Sequence, residues 1–250
     1  MQSLREIFYS HEGNLIHKWD HYFEIYERYF EKYRGCEVNL LEIGVSQGGS
    51  IQMWKKYFGD KLKIYSVDIN PECTKFKDLT TKLYIGSQED PSFLKKLKDE
   101  LPPMDIIIDD GGHTMKQQIM TFEYLYLKLK DNGIYLVEDT HTSYWDVYGG
   151  GFRKRTSFIE YSKKLIDSLY RDHINNKKRL LVNQITHNII SIAFYDSIVV
   201  FEKGKRQSAF HLKKGRATIK DYQPKFNLWE KIKLRFKGMR EVTLDRNSKN

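Results

Sequence analysis

Residues 38 to 50 read VNLLEIGVSQGGS: Val38 to Ile43 is a short apolar run, and Gly44 to Ser50 turns it into a helical stretch that reaches Tyr57. Strand, glycine-rich turn and helix, in that order, open an α/β unit. The same alternation continues outward. Ile64 to Ile69 (IYSVDI) is a second strand, and Lys82 to Ile85 (KLYI) is a strand-like run. Asp90-Pro91 caps a helix that runs to Leu101, and Asp105 to Ile108 is a buried strand ending in Asp109-Asp110. Met115 to Leu129 reads as a helix closed by Asn132-Gly133, and Ile134 to Val137 is a strand ending in Glu138-Asp139. This spacing predicts a parallel sheet with crossover helices. After Gly149-Gly150-Gly151 and a helix from about Ser157 to Tyr170, the runs Asn188 to Phe194 and Ser197 to Glu202 predict an antiparallel hairpin joined to that sheet.

Upstream, residues 17 to 34 predict one aromatic helix. Trp19, Tyr22, Phe23, Tyr26, Tyr29, Phe30 and Tyr33 recur there at three- and four-residue spacing. The whole chain has 250 residues and a formal charge of +9, which suggests a polyanion partner. Residues 203 to 250 hold 15 basic and 4 acidic residues, so the excess belongs to the C-terminus and residues 1 to 202 are nearly neutral. A body at 1 to 204 and a basic tail at 205 to 250 follow. Two cysteines, Cys36 and Cys73, are too few for a disulfide scaffold and fit a reducing cytoplasm. No apolar run reaches the roughly 18 residues of a membrane span.

In an open α/β sheet, ligands bind beyond the carboxyl ends of the strands. Four strand ends carry signals here. Glu42-Ile43-Gly44 with Gly48-Gly49 lets backbone approach a ligand, although the GxGxxG spacing of a dinucleotide site is absent. Asp68 is placed to accept hydroxyl hydrogens from an adenosine ribose, or to be a plain polar strand end. Gly86-Ser87-Gln88 can bring an amide or a hydroxyl to an adenine edge. The strongest group is Asp109-Asp110-Gly-Gly-His113 together with Glu138-Asp139. Neighbouring strands end about 5 Å apart, so these carboxylates converge and need protonation or a cation. Oxygen donors suit a hard divalent ion such as Mg²⁺, which leaves His113 free as a base.

These residues carry a resemblance. LLEIGVSQGGSIQMWKKYF, YSVDI, GSQEDPSFL, DIIIDDGGH, GIYLVEDTHTSYW, TSFIEYSKKLIDSLY and ISIAFYDSIVVFEKG, with HKWDHYFEIYERYF before them, resemble the metal-dependent sugar O-methyltransferases of macrolide-type natural products. The resemblance runs from about residue 17 to about residue 204. It implies a class I S-adenosylmethionine-dependent methyltransferase fold, Rossmann-like, with a mostly parallel seven-stranded sheet. It also implies Asp110, Glu138 and Asp139 as Mg²⁺ ligands and His113 as general base. Glu42, Gly44, Ser50, Asp68, Ser87, Gln88 and Asp109 would line the S-adenosylmethionine pocket. The motif reads DDGGH where many members have Ser before the His.

His141 is expected to face the site, and Tyr144 and Trp145 to form a platform for the acceptor sugar, or to pack in the core. Gly149 to Gly151 is either a mobile loop over the site or a plain connector. The expected acceptor is a sugar hydroxyl, on a free or nucleotide-linked sugar or on one borne by a glycan or a natural product, with cell-surface or capsular polysaccharide synthesis as one setting and a homo-oligomer as one possible assembly. A second reading is nucleic-acid methylation, with Phe210, Tyr222, Phe226, Trp229 and Phe236 interleaved among the basic residues of the tail. It ranks lower, because a metal serves vicinal hydroxyls better than bases. A third reading makes residues 228 to 239 an amphipathic helix that binds an anionic membrane or a partner.

Overall fold

The computed structural model describes residues 2 to 174, 184 to 207, 209 to 219, 229, 232 and 233. The chain divides into two compact units, Met1–Ala209 and Phe210–Asn250. In the second unit, residues 210 to 219 have no regular structure. The helix expected over 228 to 239 lies outside the described residues, apart from 229, 232 and 233.

The first unit is a seven-stranded sheet. Its strands are β1 (Val38–Ile43), β2 (Leu62–Asp68), β3 (Lys82–Ile85), β4 (Met104–Asp109), β5 (Leu129–Val137), β6 (Ile189–Tyr195) and β7 (Ile198–Lys203). Their spatial order is β3-β2-β1-β4-β5-β7-β6. The first five pair in parallel, and β7 pairs antiparallel with both β5 and β6. The order reverses direction at β1 and β4, which opens a crevice at their carboxyl ends. This is the mostly parallel sheet with a terminal hairpin that the strand pattern predicts.

Both faces of the sheet are covered, and the strands alternate between the two cores. Leu40, Ile106, Ile108, Ile134 and Leu136 join one cluster, while Leu41, Ile43, Ile107, Tyr135 and Val137 join the other. Burial on both sides is why these strands read as continuous apolar runs. The crossover helices are α3 (Gly49–Phe58), α4 (Pro91–Glu100) and α5 (Met115–Leu125). Asp90 caps α4 by accepting from Ser92 N, and Thr114 with Gln117 forms a capping box on α5. α6 (Phe158–Leu169) and the short α7 (Gln184–Asn188) precede the hairpin.

Two expectations change, and one helix is new. The aromatic helix expected over 17 to 34 is α2 (Tyr22–Phe30), continued by a 3₁₀ turn over Glu31–Tyr33. Residues 11 to 20 are not helical, and Trp19 is half exposed. A few positions of helix propensity are worth a few tenths of a kcal/mol each, and Lys18 makes charged hydrogen bonds worth about 1.5–3 kcal/mol instead. The helix at 115 ends at Leu125, and Asn132-Gly133 lies inside β5. Asn132 has φ 67°, and Ile106 pairs with Ile134 after Met104 has paired with Leu129, so the two residues lie in a bulged stretch where Lys130 to Gly133 face Asp105 alone. A left-handed residue serves a bulge as well as a helix end. Finally, α1 (Leu4–Tyr9) precedes everything, closed by a capping box between Ser3 and Glu6.

α3 is locked to β1 by an interior polar contact. Trp54 Nε1 donates to Glu42 Oε1 at 2.8 Å, and both side chains are buried. Burial pushes the Glu42 carboxyl up to about 7, against the pull of Lys18 and the hydrogen bonds of Trp54 and Ser50. At the end of β1, Gly44 has φ +97°, and a Cβ there would meet the Asp110 carbonyl oxygen at 2.0 Å.

Gly44→Ala is therefore expected to cost about 2 kcal/mol or more from strain and overpacking, read by urea denaturation. A wild-type midpoint would show that the turn relaxes freely. For Glu42 the sign is set by a folded-state value raised above that of the unfolded chain. The folded protein holds the proton longer, so this residue's contribution to stability declines as pH rises from about 4.5 to about 7. The melting temperature of Glu42→Gln relative to wild type should thus rise over that interval, and a constant difference would count against a buried, protonated Glu42.

Candidate active site

The strand ends are tied to one another before any side chain acts. Gly44 N donates to Val67 O, Asp110 N to Ile43 O and Glu138 N to Asp109 O, all at 2.8 to 2.9 Å. These bonds carry the ladder one step past β1, β4 and β5, so the loops leave the sheet from one place. Two adjoining cavities of about 230 and 270 Å³ open there, and they share Gly44, Ser46, Asp110 and Gly111.

One cavity is lined by Asp68, Gly86, Gln88, Gly112 and Gln117. Asp68 clamps the glycine turn, its Oδ2 accepting from Val45 N at 2.8 Å and Ser46 N at 2.9 Å and its Oδ1 from Asn70 N at 2.8 Å. A carboxylate has about four acceptor sites, so about one remains for a ligand hydroxyl. Gln88 is also engaged at both ends. Its Nε2 donates to Asp109 Oδ1 at 2.7 Å and its Oε1 accepts from Gly112 N at 2.9 Å, which braces the DDGGH loop. The glycines of that loop have a steric reason, since a Cβ on Gly111 would meet Gln88 Oε1 at 2.0 Å.

Gly44, Ser50, Asp68 and Gln88 thus face the cavities. Glu42 and Asp109 are buried behind them and support the walls instead of forming them. Ser87 turns to its own loop, its Oγ accepting from Glu89 N at 3.1 Å. Burial raises the Asp109 carboxyl to about 7, against the hydrogen bond from Gln88.

The second cavity holds the acids. Lys18, Ser50, Asp110, His113 and Asp139 line it together with Leu15 to His17. Lys18 Nζ donates to Asp110 Oδ2 at 2.5 Å and to Glu138 Oε2 at 2.7 Å. Burial works against its charge, but Asp110, Glu138 and Glu42 outweigh it and hold the ammonium protonated well above the usual range. Burial likewise raises Glu138, as does Asp110, while Lys18 and Tyr26 pull it back. Tyr22 Oη donates to Asp139 Oδ1 at 2.6 Å, and burial keeps that phenol protonated. His113 Nε2 lies 3.5 Å from Asp139 Oδ2 and 3.9 Å from Asp110 Oδ1. His113 and Asp139 both adopt left-handed backbone, with φ 58° and 53°. Thr142 Oγ1 fixes this geometry by bonding to the carbonyls of His113 at 2.9 Å and Asp139 at 2.8 Å.

Donor atoms of Asp110, His113 and Asp139 lie within 4.8 Å of one another. The carboxylates of Asp110 and Asp139, with Glu138 beside them, are oxygen donors that fit a hard divalent cation, and the His113 imidazole stands next to them. Lys18 and Tyr22 escaped the sequence reading because they sit within the aromatic run and read as part of a helix face.

His141 packs edge-on between Trp19, at 5.8 Å, and Trp145, at 4.7 Å. It lines a further cleft of about 550 Å³ with Thr140, Tyr144, Ile159 and Phe194. Tyr144 and Trp145 are each about half exposed, so they are not core residues. Gly149 to Gly151 is tied down, with Gly150 N donating to Trp145 O at 3.0 Å and Gly151 N to Ser143 O at 2.9 Å.

No protein-family model matches the chain. Among curated proteins, it is 31% identical over 190 residues to 8-demethyl-8-alpha-L-rhamnosyl tetracenomycin-C 2'-O-methyltransferase of Streptomyces olivaceus, covering 73% of this chain and 50% of the relative. It is 32% identical over 204 residues to demethylmacrocin O-methyltransferase of Streptomyces fradiae, covering 76% and 51%. Among solved structures, the MycE methyltransferase of the mycinamycin biosynthetic pathway, in complex with Mg and SAH, superposes with a TM-score of 0.71 at 27% identity. That match covers 82% of this chain and 55% of MycE. The chain spans about half the length of the curated relatives it matches. Over that shared half, in sequence and in superposed fold alike, it belongs to the sugar O-methyltransferases built on the class I methyltransferase fold.

Proposed function

We propose that this protein transfers a methyl group from S-adenosylmethionine to a sugar hydroxyl with the help of a divalent cation. The observation that carries this reading is the meeting of Asp110, His113 and Asp139 at the carboxyl ends of β4 and β5, beside the cavity that Asp68 lines. Asp68, Gly44, Ser50 and Gln88 are the proposed contacts to S-adenosylmethionine. Asp110 and Asp139 would hold the metal, with Glu138 joining them once Lys18 yields. A metal in that position lowers the pKa of a sugar hydroxyl and orients it.

The chain's own residues supply the remainder. In the transfer, an oxygen lone pair forms the bond to the methyl carbon, the carbon–sulfur bond breaks with its electron pair on sulfur, and the hydroxyl proton goes to His113 Nε2. Asp139 Oδ2 at 3.5 Å and Asp110 Oδ1 at 3.9 Å stabilise the resulting imidazolium. Tyr22 holds Asp139 in place through its Oδ1. The cleft of His141, Tyr144 and Phe194 begins at Thr140, the residue after Asp139, and would take the rest of the acceptor.

The relatives are named for rhamnosyl tetracenomycin, demethylmacrocin and mycinamicin. Those names favour a sugar already borne on an aglycone over a nucleotide-linked sugar, and nothing in them points to capsular polysaccharide. Among the described residues no helix is long and apolar enough to cross a membrane. Cys36 and Cys73 are free, which is in keeping with a reducing compartment.

The direct test incubates the protein, S-adenosylmethionine and Mg²⁺ with panels of aglycone-linked and nucleotide-linked sugars and follows S-adenosylhomocysteine release. Turnover on RNA, with none on any sugar, would reverse the reading. His113→Ala should lower turnover at least about 100-fold while S-adenosylmethionine still binds by calorimetry. EDTA should stop the reaction and added Mg²⁺ restore it; full turnover in EDTA would remove the metal from the mechanism.

A further inference from the structure

The acids at the strand ends already carry a cation. The Lys18 side chain is only 2% exposed, and its Nζ lies 2.5 Å from Asp110 Oδ2 and 2.7 Å from Glu138 Oε2. These are two of the three carboxylates that the proposed function gives to the metal. The third, Asp139, is held by a neutral donor, the hydroxyl of Tyr22. Asp110 is therefore divided, with Oδ2 on the ammonium and Oδ1 toward His113. Glu138 is committed on its Oε2 to Lys18.

The lysine is delivered there by a closely packed segment. Asn14 N donates to Gln52 Oε1 at 2.8 Å, and Gly49 lies so near that a Cβ on it would meet Asn14 O at 2.3 Å and Leu15 O at 2.4 Å. The segment continues through Leu15, Ile16 and His17 along the wall of the acid cavity. With the chain packed against α3 at Asn14 and Leu15 and its own ammonium paired, Lys18 is not a mobile surface charge that has folded inward.

We propose that Lys18 is a positioning residue that pre-organises Asp110 and Glu138 and competes with the divalent cation for them, and so sets the affinity for the metal. An ammonium and a divalent ion seek the same carboxylate lone pairs, and at this separation they repel through a poorly screened interior. The inference rests on the metal-dependent reading above. It adds that metal binding must draw Glu138 away from Lys18 or take Asp110 through its free oxygen alone.

The test is Mg²⁺ titration of the full chain by calorimetry, without substrate, in wild type, Lys18→Met, Lys18→Gln and Lys18→Arg, with thermal melts in the presence and absence of Mg²⁺. Lys18→Met and Lys18→Gln should bind Mg²⁺ about tenfold or more tighter than wild type, and Lys18→Arg should stay near wild type. The melting temperatures of the two neutral variants should also rise more with Mg²⁺ than that of wild type. If these variants fold only with Mg²⁺ present, one cation is replacing the other, and the proposal stands. Equal or weaker binding than wild type would overturn the role of Lys18 while leaving the metal reading intact. Failure of both neutral variants to fold with or without Mg²⁺ would overturn it too, since the ammonium would then be doing something a metal cannot replace. Absence of Mg²⁺ binding in all four proteins would end the metal reading and this inference together.

Discussion

Several carboxylates brought to one end of a parallel sheet cannot all stay charged without a counter-ion, and the geometry around Lys18 follows from that constraint. Asp110 and Glu138 come from adjacent strands, and their backbones are tied to the neighbouring strand ends. Glu138 is 1% exposed, so solvent does not screen it. An unpaired charge in such a place costs about 3–5 kcal/mol, a large part of the roughly 5–15 kcal/mol by which a domain is stable. The ammonium of Lys18 answers that cost. Its presence explains why the chain before α2 leaves the helical path and runs past the open ends of the strands.

The same constraint sorts the acids by environment. Glu42 and Asp109 lie one layer below the cavities, where burial raises both carboxyls to about 7 and each accepts a hydrogen bond from a side chain, Trp54 and Gln88 respectively. They serve as acceptors that tie α3 and the DDGGH loop to the sheet. Asp110 and Asp139 keep 22% and 25% of their side chains exposed and turn oxygens toward His113. Acids at the same strand ends are thus separated by burial into interior acceptors and partly exposed groups that face His113.

Much of this was legible in the sequence for a simple reason. Strands buried on both faces read as apolar runs, and the polar residues that end them stand out against that background, as in DIIIDDGGH and YLVEDTHTSYW. What escaped the reading depends on distance along the chain or on ambiguous local chemistry. Lys18 meets Asp110 and Glu138 across 92 and 120 residues, and nothing local in HKWDHYF distinguishes it from a solvated helix charge. Asn132-Gly133 marks a left-handed position, but a helix end and a bulge need the same one. The α1 capping box, Ser3 to Glu6, also escaped, although its S-x-x-E spacing is a local signal.

The overall charge of +9 is the wrong scale on which to judge such a site. Its excess sits in the last fifth of the chain, while the chemistry depends on charges a few ångströms apart in a body that is slightly acidic. The carboxylate cluster does imply a cation, but its residue types do not say whether a metal or a side chain supplies it. The structure supplies one from the chain itself, the ammonium of Lys18, so on the proposed reading a divalent ion meets oxygens that are already occupied. A cation that must share its ligands is held less tightly than its donor set alone implies, so on that reading the strength of metal binding depends on Lys18, a residue that is not itself a ligand.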